Sequence, residues 1–377
     1  MKLLYLFLFL FLFYKKSKSL NTLNNFNDNN KQILSIKIKN SKLANLKNDI
    51  IQKKKNLLIG AFANYKWKEI ALYFKSFEKA GFDNSDFIMF VSNITKETIN
   101  NIESCGFKVY QIPDDLKNLP IMNIRWKIYE DYLNNNANKY NLIFTADVRD
   151  VFFQQDIFKN IEEKESYLGV ALEDGNLNEQ NNKKWIIDAY GEELYNTIKD
   201  ERIICTGAIW GKVDKFKEFS HIMWEKLNSE WAKEKKVKEQ AVANFIVYHD
   251  KMFSDCLVKS DNYGPVMSLS LTNRNNISLD EKNNILNFRG EIASVIYQYQ
   301  GKTDLFEKVK NKYYPDLDKL NEDNNKEEDR NYLDKINNYK KRSIFISITA
   351  FIIFTFAFCI YHIKISKKKI VIPEEGK

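Results

Sequence analysis

Four short apolar runs alternate with three helical stretches between residues 57 and 145, and this alternation restricts the fold more than any other feature of the chain. Residues 57–62 (Leu-Leu-Ile-Gly-Ala-Phe), 87–91, 107–112 and 141–145 are short apolar runs that read as strands. Between them, residues 66–80 carry Ile70, Ala71, Tyr73, Phe74 and Phe77 at helical spacing and stop before Gly81. Residues 96–104 stop near Gly106, and residues 123–134 form the third helical stretch. A strand joined to the next strand through a helix implies parallel pairing by crossovers, with helices covering both faces of an α/β sheet. Ligands in such sheets sit at the carboxyl ends of the strands.

The segment after the fourth run is Thr145-Ala146-Asp147-Val148-Arg149-Asp150-Val151-Phe152-Phe153-Gln154. It places two carboxylates three residues apart where a buried strand ends. Carboxylates aimed into a crevice suit hard divalent cations, whose remaining positions can be filled by phosphate oxygens. The same two residues also fit as caps of the following turn, with Arg149 pairing Asp150. A further apolar strand, residues 167–173, again ends in acid. Asp174 lies just past it and is a candidate general base, whereas Glu173 still lies within the strand pleat. Both acids equally fit as caps of the turn at Gly175.

The net charge of +8 over 377 residues would suit a nucleic-acid partner if it were concentrated on the fold. It is not. Lys2 adds +1, residues 15–56 hold eleven Lys against two Asp, residues 364–377 add +3, and residues 57–363 are left with −5. The basic ends therefore read as linker or membrane-proximal charge, and no nucleic-acid partner is expected.

Residues 3–14 are an unbroken apolar run. At 1.5 Å per residue they reach about 18 Å, short of the hydrocarbon core, so residues 1–19 read as a signal peptide or a short anchor. Residues 344–363 contain no charge and are long enough to span a bilayer. The expected organisation is then a basic Asn/Lys-rich lead-in (20–56), a folded domain (57–316), a polar stalk (317–342), a transmembrane helix (343–363) and a basic cytosolic tail (364–377). That makes a single-pass membrane protein of the secretory pathway with a lumenal domain. Two sequons, Asn93-Ile94-Thr95 and Asn276-Ile277-Ser278, agree with this topology. Cys105, Cys205 and Cys256 in that domain allow one disulfide at most, and Cys359 falls in the span.

The segment Asn123-Ile124-Arg125-Trp126-Lys127-Ile128-Tyr129, followed by the strand that ends in Asp147 and Asp150, resembles nucleotide-sugar-dependent glycosyltransferases of the GT-A fold. Ile204-Cys205-Thr206-Gly207-Ala208 is similar to their small-residue strand and turn. Glu239-Gln240-Ala241-Val242-Ala243-Asn244 is similar to their D-Q-x-x-x-N helix, and Val295-Ile296-Tyr297-Gln298-Tyr299 to their late V-H-Q-Y strand. The resemblance implies a Rossmann-like, mostly parallel sheet flanked by helices, and an acidic site holding Mn²⁺ or Mg²⁺. It implies a nucleotide-sugar donor and a glycan, protein or lipid acceptor. By the same resemblance, Asp147 faces the ribose or a metal-bound water and Asp150 ligates the metal directly. Arg125 holds nucleotide or phosphate, Thr206 and Gly207 line the pocket, and Glu239 and Gln240 reach the transferred sugar.

Two departures stand out. Tyr297 occupies the place of a metal-binding histidine, and Glu239 stands where the relatives carry Asp. His221 and His249 lie on helical stretches with no carboxylate partner evident in the sequence. A phosphotransferase of the haloacid type needs a second Asp two residues after the first, where this chain has Arg149. The rival reading is a catalytically reduced GT-A-like protein that binds saccharide or nucleotide without transfer.

Overall fold

A computed structural model describes residues 54–161 and 164–320. The expected signal peptide or anchor, the transmembrane helix and the cytosolic tail lie outside the described residues, as do nearly all of the lead-in and stalk. Among the described residues, no helix is long and apolar enough to cross a membrane.

The fold is mixed α/β around a seven-stranded sheet. The expected strands are β1 (Lys55–Ala63), β2 (Ser85–Ser92), β3 (Lys108–Gln111) and β4 (Tyr140–Ala146), joined by α1 (Trp67–Lys79), α2 (Lys96–Ser104) and α3 (Ile121–Asn136). Local caps fix the helix starts: Lys66 N donates to Glu69 at 2.8 Å before α1, and Thr98 N donates to Thr95 Oγ1 at 3.0 Å in α2. Three later strands complete the sheet: β6 (Leu168–Asn176), β7 (Arg202–Lys212) and β8 (Leu257–Ser260), with β5 (Val151–Phe153) lying elsewhere. The order is β3-β2-β1-β4-β7-β6-β8. β1 pairs in parallel with both β2 and β4, so the chain winds outward to β3 and then returns to the other side of β1. That reversal is the switch point where a crevice opens beyond the strand ends.

The sheet departs from all-parallel pairing at β7, which runs antiparallel to both β4 and β6. The cause lies in the connection. Asn176 at the end of β6 pairs with Arg202 at the start of β7, so the intervening helices α4 (Gln180–Tyr190) and α5 (Glu192–Ile198) are inserted into a hairpin. They do not form a crossover.

Alternate residues of each strand enter opposite faces of the core. Leu58 and Phe62 of β1 join the face covered by α1, whereas Leu57 and Ile59 join the face covered by α3 and α6 (Val213–Asn228). Trp126 of α3 packs against Phe219 of α6 with ring centroids 5.3 Å apart. Two short helices follow, α7 (Glu230–Lys235) and α8 (Glu239–Asn244). A small sheet, ordered β5-β12-β9, packs beside α1 and contains β9 (Val266–Ser268) and β12 (Val295–Tyr297). A two-stranded hairpin of β10 (Ser278–Leu279) and β11 (Ile285–Leu286) precedes β12, and α9 (Thr303–Tyr313) closes against α1. Cys105, Cys205 and Cys256 are all free thiols.

Candidate functional site

The site assembles where β4 ends. Pairing of β4 with β7 sets Ala146 opposite Ala208, and the Asp147 amide then donates to the Gly207 carbonyl at 2.9 Å. Thr206 and Gly207 therefore lie beside Asp147 because of strand register alone. α3 turns Arg125 and Trp126 inward beneath this point, and α8 begins with Glu239 facing them.

Arg125 joins these pieces. Its Nη1 donates to Asp147 Oδ1 at 2.6 Å and its Nη2 to Glu239 Oε1 at 2.7 Å. Its Nε donates to Glu239 Oε2 at 3.1 Å and its Nη2 to the Thr206 carbonyl at 2.9 Å. Glu239 also accepts from Trp126 Nε1 at 3.0 Å and from Thr206 Oγ1 at 3.2 Å. Arg125 is 2% exposed and Glu239 6% exposed, so this is a buried ion network. Such a network is tolerable when its polar atoms are paired; here Arg125 donates four hydrogen bonds and Glu239 accepts four. Burial pushes the Glu239 carboxyl up to about 7, and Arg125 pulls against it. Every hydrogen bond described to Glu239 comes from a donor, an arrangement that favours its carboxylate form.

Tyr297 closes the other side of Asp147. β12 runs antiparallel to β5, the segment directly after Asp150, and sets Tyr297 opposite Val151. The Tyr297 hydroxyl donates to Asp147 Oδ2 at 2.9 Å, and burial keeps this phenol protonated by raising it well above its ordinary value. A Cβ on Gly207 would lie 2.3 Å from the Tyr297 ring, so glycine is required there to admit the ring.

Asn244, at the far end of α8, fastens that helix to β7. Its Oδ1 accepts from Ile204 N at 3.0 Å and its Nδ2 donates to Ile204 O at 3.2 Å.

Asp147, Thr206, Glu239, Gln240, Tyr297 and Gln298 form the polar part of a cavity of about 710 Å³. Its apolar walls include Trp185, Trp224, Leu227 and Met122, and Lys233, Lys236 and Lys238 stand on it too. The volume is in the range that ligand sites occupy. A smaller cavity of about 410 Å³ lies at the carboxyl ends of β1 and β2, and Leu119 and Pro120 line both.

The expected site residues are distributed as follows. Arg125, Asp147, Thr206, Gly207 and Glu239 come together, but the Arg125 donors described above go to protein acceptors. Gln240 lines the cavity and donates to Asn182 at 2.9 Å. Asp150 is half-buried next to Asp147, and its carbonyl accepts from Gln298 N at 2.8 Å. Its carboxyl is raised to about 7, by burial first and by the Asp147 charge second. Asp174 is apart from the cavity, exposed, and 3.9 Å from Arg202. Its neighbour Glu173 is the buried acid of the pair, raised to about 7 by burial and then by Glu179. The histidines do have carboxylate neighbours: His221 Nδ1 lies 2.9 Å from Glu130, and His249 Nδ1 lies 3.2 Å from Asp250. The three lysines are the functional candidates that sequence reading missed, although the Lys-rich run ahead of Glu239 was a visible signal.

A site for Mn²⁺ or Mg²⁺ at Asp147 and Asp150 would have to share Asp147 with its protein partners, since two of its about four lone-pair sites are taken. Each Asp147 oxygen already accepts a hydrogen bond, one from Arg125 and one from Tyr297. Among the described residues, no three His, Cys, Asp or Glu side chains are grouped as a metal would need.

No protein-family model matches the chain. No curated protein matches it significantly. Solved structures with a similar backbone include an active-site mutant of LgtC, at 13% identity and TM-score 0.41, over 64% of this chain and 86% of that one. The galactosyltransferase LgtC in complex with donor and acceptor sugar analogs matches at 14% identity and TM-score 0.40, with the same coverage. The glycosyltransferase GlyE of Streptococcus pneumoniae matches at 11% identity and TM-score 0.36, over 56% of this chain and 46% of that one. At this distance the neighbours leave any functional reading to be carried by the site itself.

Proposed function

We propose that this chain is a membrane-anchored glycosyltransferase of the GT-A type, taking a nucleotide-sugar donor and a glycan, protein or lipid acceptor in the secretory lumen. The observation that carries this reading is the convergence of α3, the end of β4, β7, α8 and β12 on one cavity. The end of β4, β7 and α8 bring Asp147, Thr206, Glu239 and Gln240, for which the resemblance implies roles, α3 ties them together through Arg125, and β12 adds Tyr297. An acid floor with Gln240 and Thr206 beside it suits sugar hydroxyls, which both donate and accept. Tryptophans in the wall suit the apolar face of a sugar ring.

The residues divide their work by what they have left to offer. A carboxylate has about four lone-pair sites, and Glu239 receives four donors, from Arg125 twice, Trp126 and Thr206. It therefore fixes Arg125 and α8 and does not act as a base. The Gln240 side-chain carbonyl and the Thr206 hydroxyl oxygen, whose donors go to Asn182 and Glu239, are left to accept from the donor sugar. Asp174, the acid expected to serve as a base for an acceptor hydroxyl, stands away from the cavity. Retention, which needs no such base, fits better than inversion. Because Asp147 is already engaged, no step is assigned to Mn²⁺ or Mg²⁺.

The test is a nucleotide-sugar panel on the full-length protein in detergent, read as nucleotide release and sugar transfer. The expected result is hydrolysis or transfer with one donor, lost in Gln240→Ala. A catalytically reduced protein that binds saccharide or nucleotide without transfer is the second reading, and the engaged Asp147 carboxylate is what favours it. Nucleotide binding without hydrolysis or transfer of any donor would establish that reading instead. Lumenal placement is expected to protect the domain from protease in sealed microsomes, and digestion there would overturn it.

A further inference from the structure

If the transferase reading is right, the cavity must compensate the charge of a diphosphate, and the acidic floor cannot. Asp147 and Glu239 outnumber Arg125, and two of the about four Asp147 lone-pair sites are taken up by Arg125 and Tyr297. A phosphate group placed against that floor would meet net negative charge in a partly desolvated site, which is unfavourable. The compensating charge has to come from elsewhere on the cavity surface.

It is available on the turn between α7 and α8. Lys236 sits in the left-handed region with φ 51°, and the turn is closed by Lys236 N to Lys233 O at 3.2 Å and Val237 N to Ala232 O at 3.0 Å. Val237 is buried at 7% exposure and anchors the turn to the core, while Lys236 and Lys238 on either side of it are exposed and line the cavity. Neighbouring lysines are spent on acids: Lys233 lies 3.2 Å from Glu230, and Lys226 lies 2.9 Å from Asp250. Lys236 and Lys238 make no ion pair among the described residues. Two unpaired cations on an anchored turn, at the edge of a cavity whose floor is acidic, form a divided site. The sugar end of a ligand suits the floor, and its phosphates suit the turn.

We propose that this cavity binds a nucleoside diphosphate or its sugar ester without a divalent cation, with Lys236 and Lys238 neutralising the phosphates. The proposal deepens the transferase reading and rests on it. Lysine serves here as a point charge that needs no fixed fork geometry, so an exposed turn can supply it.

The test is calorimetric titration of the full-length protein with UDP and GDP, in EDTA and in Mn²⁺, for wild type, Lys236→Gln/Lys238→Gln and Lys236→Arg/Lys238→Arg. One of the two nucleotides is expected to bind with affinities within about twofold in EDTA and Mn²⁺. The Gln pair should weaken it by roughly tenfold or more and flatten its salt dependence, and the Arg pair should restore it. Unchanged melting of the free variants shows that the fold is intact. Binding that requires Mn²⁺ would overturn the proposal and leave the transferase reading standing. Equal binding by the Gln pair would do the same. Loss in the Gln pair of binding to an acidic saccharide, with UDP and GDP binding unchanged, would move the lysines to the acceptor and also overturn it. No binding of either nucleotide in either condition would remove both readings.

Discussion

Gly207 is small because Tyr297 is large, and that pair shows how side chains far apart in sequence define the site. An added Cβ would press on the phenol ring at 2.3 Å, with the Tyr297 hydroxyl tied to Asp147. Gly207→Ala is therefore expected to lower stability in urea by about 1–3 kcal/mol, and to cost much less in a Tyr297→Ala background. An equal cost in both backgrounds would show that the ring is not the reason. Glu173 gives a second prediction at this scale. Its folded carboxyl is raised from 4.5 to about 7 by burial and by Glu179. The folded state thus binds more protons than the unfolded state between those values. Stability from this group is present below the lower pH, falls as pH rises through the window, and levels off above it. Glu173→Gln should raise stability at pH 8 by on the order of 1–3 kcal/mol and change little at pH 4.5. A gain of equal size at both pH values would exclude titration as the cause. The resemblance implied that Arg125, Asp147 and Glu239 serve one site and placed Tyr297 where a histidine is expected. It did not show that they consume one another's hydrogen bonds, because Arg125 and Glu239 meet across 114 residues.

At the scale of elements, α8 is held by a side chain that imitates a strand. β7 outruns β4, whose pairing with it stops at Ala208, so the stretch from Arg202 to Gly207 has an edge uncovered by β4. The Asn244 amide fills that edge at Ile204, bonding both the backbone N–H and the carbonyl, and also donates to Gln240 O at 2.7 Å. Asn244→Ala should cost about 1–3 kcal/mol, the penalty of leaving buried backbone groups unpaired. It should also speed amide exchange at Ile204 ahead of the sheet centre. Unchanged exchange there would mean that α8 is held by its apolar packing. The first four strands and three helices were legible because each is long enough to show its period. The direction of β7 was not, since a period of two is the same in parallel and antiparallel strands. β5 and β9 are three residues each, too short to display a period, and β12 was found only through the resemblance around Tyr297. Asp174 was preferred over Glu173 for lying outside the strand, yet the buried run of β6 continues through Glu173 and leaves Asp174 exposed.

At the scale of the whole molecule, the proposal to be tested is a lumenal fold between basic, membrane-proximal ends. The two sequons test this, because the fold treats them differently. Asn93 is exposed but held: it sits at φ 52°, its amide donates to Asn64, and it lines the smaller cavity. The hydroxyl of its sequon, on Thr95, accepts from Thr98 N at 3.0 Å to start α2. Asn276 instead ends a short turn on the surface, with Ser278 exposed on β10. A glycan on Asn93 would occupy the cavity beyond the strand ends and compete with the cap of α2, whereas one on Asn276 would extend into solvent. Expression in cells with a secretory pathway should therefore give one endoglycosidase-sensitive form, abolished by Asn276→Gln and unaffected by Asn93→Gln. A shift carried by Asn93 would mean that modification precedes closure of β2 and α2 and that the smaller cavity is blocked in the mature protein. A protein with no glycan at Asn276, although that residue is open to solvent, would count against the proposed lumenal placement.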